Sequence, residues 1–131
     1  MNPSERDLAA LQGVWQQVGL EADGVIDPPD AHSGPGVLCT FAGTEFSVRA
    51  PDGRLLLAGS FELDGPGSIT WIDSVGEDAG KRLPASYRLD GDRFVFIAGN
   101  EGEPRPASFT TTVGQTMRTL VRQVSRDDDR G

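Results

Sequence analysis

Apolar and polar residues alternate along this chain in short runs, and glycine or proline closes almost every run. Alternation of this kind marks a strand with one buried face, because successive side chains point to opposite sides of a sheet. Phe46 and Val48 share one side of their run. Leu55, Leu57, Phe61 and Leu63 share a side of the next, with Gly59 between them, and Tyr87 matches Leu89 as Phe94 matches Phe96 and Ala98. The pattern predicts eight strands at about residues 13–21, 36–42, 44–50, 54–63, 67–73, 83–90, 92–98 and 115–124, with a short ninth over 107–112. Asp23-Gly24, Asp52-Gly53, Asp64-Gly65 and Asp90-Gly91 supply tight turns, since glycine takes positive φ at no steric cost.

Only the start reads as helix. Ser4 suits an N-cap with Asp7 reaching back to it, Leu8 and Leu11 form an apolar side, and Gly13 ends the element. Strands that each carry one apolar face are satisfied by a sheet closed around its core. The fold expected is therefore all-β: an antiparallel up-and-down barrel of about eight strands, with the short N-terminal helix plugging one end. Three longer connections, 22–35, 74–82 and 99–106, are left to carry specificity.

Length and charge narrow the function. The 131 residues suit one domain, placed at 1–126, followed by an acidic tail at 127–131 that contains Asp127, Asp128 and Asp129. Twenty acidic against twelve basic side chains give a net charge of -8, which disfavours nucleic acid and anionic membrane as partners. The single cysteine, Cys39, allows no internal disulfide. With no basic, apolar leader at the N-terminus and no aliphatic run longer than Leu55–Ala58, the expected location is the cytoplasm.

Four stretches carry a resemblance. Leu11-Gln12-Gly13-Val14-Trp15, Leu57-Ala58-Gly59-Ser60-Phe61-Glu62-Leu63-Asp64, Tyr87-Arg88-Leu89-Asp90-Gly91-Asp92 and Arg105-Pro106-Ala107-Ser108-Phe109 occur in this order. Together they resemble a bacterial lipocalin-like domain family of the calycin type, common in planctomycete genomes. The resemblance spans roughly Asp7 to Val124. It implies the barrel, with the tryptophan of Gly13-Val14-Trp15 at the closed end and a basic residue of the last strand lying across it. Arg122 matches that role, and Arg126 is the fallback if the register slips. The resemblance implies no substrate, catalytic residue or ligand. The prolines Pro28, Pro29 and Pro35 and the large Trp71 depart from the family's pattern.

Among candidate sites, Trp15 and Arg122 read as a structural clamp or as the base of a cavity. Arg118 shares parity with Arg122 and would point inward about 13 Å away along the strand. An inward arginine calls for a carboxylate such as Glu21, for the acidic group of a ligand, or for a bulge that turns it out. Gln17 and Glu21 share parity with Trp15, yet Val14, Val18 and Leu20 form the more apolar set of that strand. A bulge, or burial of the outer face by a protein partner, would resolve the conflict.

The aromatic residues Phe41, Phe46, Phe61, Trp71, Tyr87, Phe94, Phe96 and Phe109 either fill the interior or leave room for one small ligand, and Gly19, Gly59 and Ala98 favour a cavity. The binding reading places a small, largely apolar or amphipathic molecule against Phe46, Trp71, Tyr87, Phe94, Phe96 and Arg118. Cys39 alternates with Val37 and Phe41 as a buried residue. His32, between prolines and glycines, reads as a loop residue, and one histidine with one cysteine builds no closed zinc site. No metal, cofactor or catalytic motif is expected. An enzyme would have to use Glu21, Asp73, Tyr87 and Arg118, with Asp73 and Glu77 the carboxylates placed near the rim.

Overall fold

The alternating runs become nine strands in a computed structural model of the protein, which describes residues 3–26, 37–75 and 79–123. Helix α1 (Pro3–Leu11) is followed by β1 (Gly13–Ala22), β2 (Val25–Ile26), β3 (Leu38–Ala42), β4 (Glu45–Arg49), β5 (Leu55–Gly65), β6 (Ser68–Val75), β7 (Arg82–Asp90), β8 (Arg93–Ala98) and β9 (Thr116–Arg122). Neighbours pair antiparallel in the order β1-β3-β4-β5-β6-β7-β8-β9, and β9 pairs back onto β1. The ring is closed and has eight strands. The two-residue β2 only doubles the far end of β1, where Asp23-Gly24 makes the turn. His32, the prolines of the first connection, Glu77, Val124, Arg126 and the acidic tail lie outside the described residues.

The helix begins one residue before the expected cap. Pro3 opens it, so Ser4 already lies in its first turn. Asp7 makes no capping box; its carboxylate accepts a 2.6 Å hydrogen bond from Tyr87 Oη and moors the helix to the barrel. Gly13 leaves the helix with φ of 114°, a conformation that side-chain-bearing residues avoid. Gln12 fixes the junction from the other side: its amide donates to the Leu8 and Gly43 carbonyls and accepts from the Gly43 N–H. The helix thereby covers the closed end.

Four register shifts interrupt the ladders, at Val18, Leu56, Ser74 and Asp64, and the first three set which side chains face inward. In β1 the register against β9 slips between Gln17 and Gly19, leaving Val18 unmatched. Trp15 and Gln17 point in before the bulge and Leu20 points in after it; all three are buried, while Val18 is 54% exposed. The conflict in this strand is thus settled by the extra residue. Glu21 is carried away from the interior, and the outward apolar set loses Leu20. A second bulge at Leu56 turns Leu55 toward solvent instead of inward. The third, at Ser74, brings β6 so close to β5 that a Cβ on Gly59 would lie 2.2 Å from the Ile72 carbonyl oxygen. Gly59 therefore admits a neighbouring backbone rather than opening a void, and the Thr119 side chain likewise occupies the space beside Gly19.

Residues 107–112 form no strand. They belong to a long strap, residues 99–115, folded over the outside of the barrel. Arg105 donates to the Ile69 and Ala85 carbonyls at 2.6 Å each and pairs with Asp64 at 3.2 Å. Ser86 Oγ donates to the Pro106 carbonyl, and the Arg88 guanidinium lies 4.3 Å from the centre of the Phe109 ring. Phe109 therefore packs outside the barrel, not within it. At its far end the strap is held by Glu21, whose carboxylate accepts from both the N–H and the hydroxyl of Thr111 at 2.6 Å. Beneath this cover Ile97, on the outward side of β8, is fully buried.

Candidate functional site

The closed end is built for rigidity. Trp15 and Arg122 are register partners on β1 and β9, and the guanidinium lies 4.4 Å from the centre of the indole. Trp15 Nε1 donates to the Leu11 carbonyl at 2.8 Å. Arg122 donates to the carbonyls of Gln12 and Ala10 at the helix end and to Asp92 in the β7–β8 turn. One cation thus joins helix, strand and turn. Phe94 meets Trp15, Phe41 and Tyr87 at ring separations of 5.8–6.1 Å, and Phe41 meets Phe61 at 5.6 Å. Aromatic pairs of this kind contribute about 0.5–1.5 kcal/mol each beyond the area they bury. The clamp is structural, and the space around it is filled by side chains.

Trp71 is the floor on which the other half rests. It sits against Phe41, Phe46, Phe61 and Phe96, with ring centres 4.7–6.2 Å away. Above it the barrel holds a cavity of about 610 Å³ that opens at the end opposite the helix. Phe46, Val48, Leu56, Leu57, Leu83, Phe96, Ala98 and Leu120 supply most of the apolar wall. Gln17, Asp73, Asn100, Thr116 and Arg118 add polar groups, and Cys39 adds a thiol.

Of the six residues expected to meet a ligand, Phe46, Trp71, Phe96 and Arg118 line this space. Tyr87 and Phe94 do not: the first bonds to the helix and the second fills the closed end. Both share the inward parity of the cavity residues, and parity alone does not distinguish height along the barrel. Trp71 Nε1 is buried with no hydrogen-bond partner, an arrangement that costs about 1–3 kcal/mol. Its counterpart on Trp15 is satisfied. Trp71 thus supplies both a floor and an unfulfilled donor.

Arg118 faces inward as its parity with Arg122 requires. Its guanidinium donates to Gln17 Oε1 at 2.9 Å, and the bulge has removed Glu21 from its reach. The carboxylate that shares the cavity is Asp73, 6% exposed and on β6. Asp73 and Arg118 are each engaged by neighbours, so neither charge stands alone. Burial pushes the Cys39 thiol up to about 12, with the positive charge of Arg118 opposing the rise. The thiol is therefore neutral at ordinary pH and a poor nucleophile. Tyr87 is likewise raised to about 12, first by burial and then by its bond to Asp7.

The four groups an enzyme would have needed are dispersed. Only Asp73 and Arg118 border the cavity; Glu21 holds the strap, and Tyr87 the helix. Among the described residues no three histidine, cysteine or acidic side chains gather as a metal site, and no helix is long and apolar enough to cross a membrane. No protein-family model matches this chain, and neither a curated protein nor a solved structure shows significant similarity to it.

Proposed function

We propose that this protein is a non-catalytic binding module that holds a small, largely apolar molecule in the open half of its barrel. The observation that carries this reading is the cavity itself. A volume of about 610 Å³ lies in the range of small-molecule sites, roughly 300–1,000 Å³, and an aromatic and aliphatic wall with a few convergent polar groups is what such sites present. Phe46, Trp71 and Phe96 would contact the ligand's body, and Arg118 with Gln17 would fix its polar end. The closed ring of eight strands, with an indole under a guanidinium at its base, supports a lipocalin-like assignment.

A protein-contact role would call for a grouped outward face of Val14, Val18 and Leu20. The bulge disperses that group, leaving Val18 exposed beside a half-buried Val14. The cavity reading is therefore preferred.

Tryptophan fluorescence titrated with fatty acids, isoprenoids and ring-bearing acids, amines and alcohols tests it. Saturable change is expected from at least one class, and Trp71→Phe should abolish it, because Trp15 is shielded at the closed end. A protein that responds to none of these compounds, with xenon finding no site in the barrel, overturns the proposal.

A further inference from the structure

The polar groups of the cavity come from different parts of the ring. Gln17 and Arg118 belong to the neighbouring strands β1 and β9, whereas Asp73 is on β6. In the order β1-β3-β4-β5-β6, strand β6 lies four steps from β1 in a ring of eight, which is the opposite wall. One side thus offers a guanidinium and an amide, the other a carboxylate, and Trp71, Phe46 and Phe96 lie between and below. Among the described residues lining the cavity these are the only two formal charges, and they sum to zero.

From this balance we infer that the ligand carries no net charge and presents both a hydrogen-bond acceptor, toward Arg118 and Gln17, and a donor, toward Asp73, on an apolar ring-bearing body. The inference rests on the binding role proposed above and narrows it. A simple carboxylic acid can approach the arginine wall but adds a second anion to a space that already holds Asp73. A simple amine can approach Asp73 but adds a second cation beside Arg118. In a largely apolar enclosure either surplus is poorly screened, and a buried charge without its partner is disfavoured. A neutral molecule with both functions, or a zwitterion, leaves the balance intact. The same holds whether Asp73 and Arg118 engage each other or separate neighbours, since their sum is unchanged. Buried polar groups matched to a ligand's donors and acceptors are also the strongest source of discrimination available to a small site.

The test is a matched series on one ring system: naphthylacetic acid, naphthylethylamine, naphthylethanol and naphthylalanine, each titrated calorimetrically into the full chain. The alcohol and the zwitterion should bind about tenfold or more tightly than the acid and the amine. Asp73→Asn should then move the preference toward the acid and Arg118→Gln toward the amine, with near-ultraviolet circular dichroism confirming that each variant is folded. If the acid binds the wild-type chain most tightly, or if Asp73→Asn leaves the ranking unchanged, the inference is overturned while the binding role stands. If none of the four binds the wild-type chain or either variant, the inference is overturned, and the binding role is decided separately by the wider fluorescence panel and the xenon experiment. The wild-type ranking decides the matter even where a variant fails to fold.

Discussion

The barrel contains two tryptophans and two inward arginines, one of each at either end, and they do opposite things. At the closed end Trp15 is fully buried with its N–H bonded, and Arg122 spreads its donors over a helix terminus and a turn. Near the open end Trp71 is buried with its N–H unbonded, and Arg118 lies in the wall of an opening beside a glutamine. The first pair removes all freedom from its surroundings. The second leaves space, a spare donor and two opposed charges. Stability and the proposed binding role thus fall to different halves of one sheet, a division that rigid walls with a rigid base make workable.

If that division holds, substitutions should sort by height along the barrel. The largest loss should come from Trp15→Ala, which removes a fully buried ring from a filled region; about 3–5 kcal/mol is expected in urea denaturation. Arg122→Ala should follow at about 2–3 kcal/mol, combining the ring contact with charged hydrogen bonds to helix carbonyls. Glu21→Gln acts on the strap rather than the barrel. Its carboxylate sits below the usual glutamate range because the hydroxyl and the N–H of Thr111 both donate to it. A lowered value stabilises the attachment above the ordinary glutamate pKa and loses it as pH falls through the folded one. The Thr111 amide resonance should therefore titrate with a midpoint below the ordinary glutamate pKa, a transition absent from the glutamine variant. Trp71→Phe should change stability least, within about 1 kcal/mol, because the lost contacts are offset by removing an unsatisfied buried donor. A Trp71→Phe loss as large as that of Trp15→Ala would contradict the division.

Much of the barrel is legible in the linear pattern because its determinants are local. The alternation in Phe94-Val95-Phe96 and the turn at Asp90-Gly91 each act over a few residues, and the pairing of Trp15 with Arg122 follows from antiparallel closure. Bulges are less visible. The one at Val18 announces itself only as a strand whose apolar residues disagree about parity, and those at Leu56 and Ser74 leave no such trace. The strap is invisible for another reason: Glu21 meets Thr111 and Arg105 meets Ile69 across long stretches of chain, and nothing in either neighbourhood specifies the partner. The candidate site was half legible. Parity identifies Phe46, Trp71, Phe96 and Arg118 as inward, but it equally selects Tyr87 and Phe94, which the shear of the strands places at the filled end. Asp73 stood out only as a carboxylate near the rim; that it faces Arg118 across the interior depends on the closure of the whole ring.

The central claim is that the barrel is hollow above Trp71 and solid around Trp15. Each indole N–H gives its own signal in a proton–nitrogen correlation spectrum, so both halves report in one titration with naphthylethanol. The Trp71 signal should shift and saturate while that of Trp15 stays in place. A fixed Trp71 signal, or a Trp15 signal that moves as far, would contradict the account.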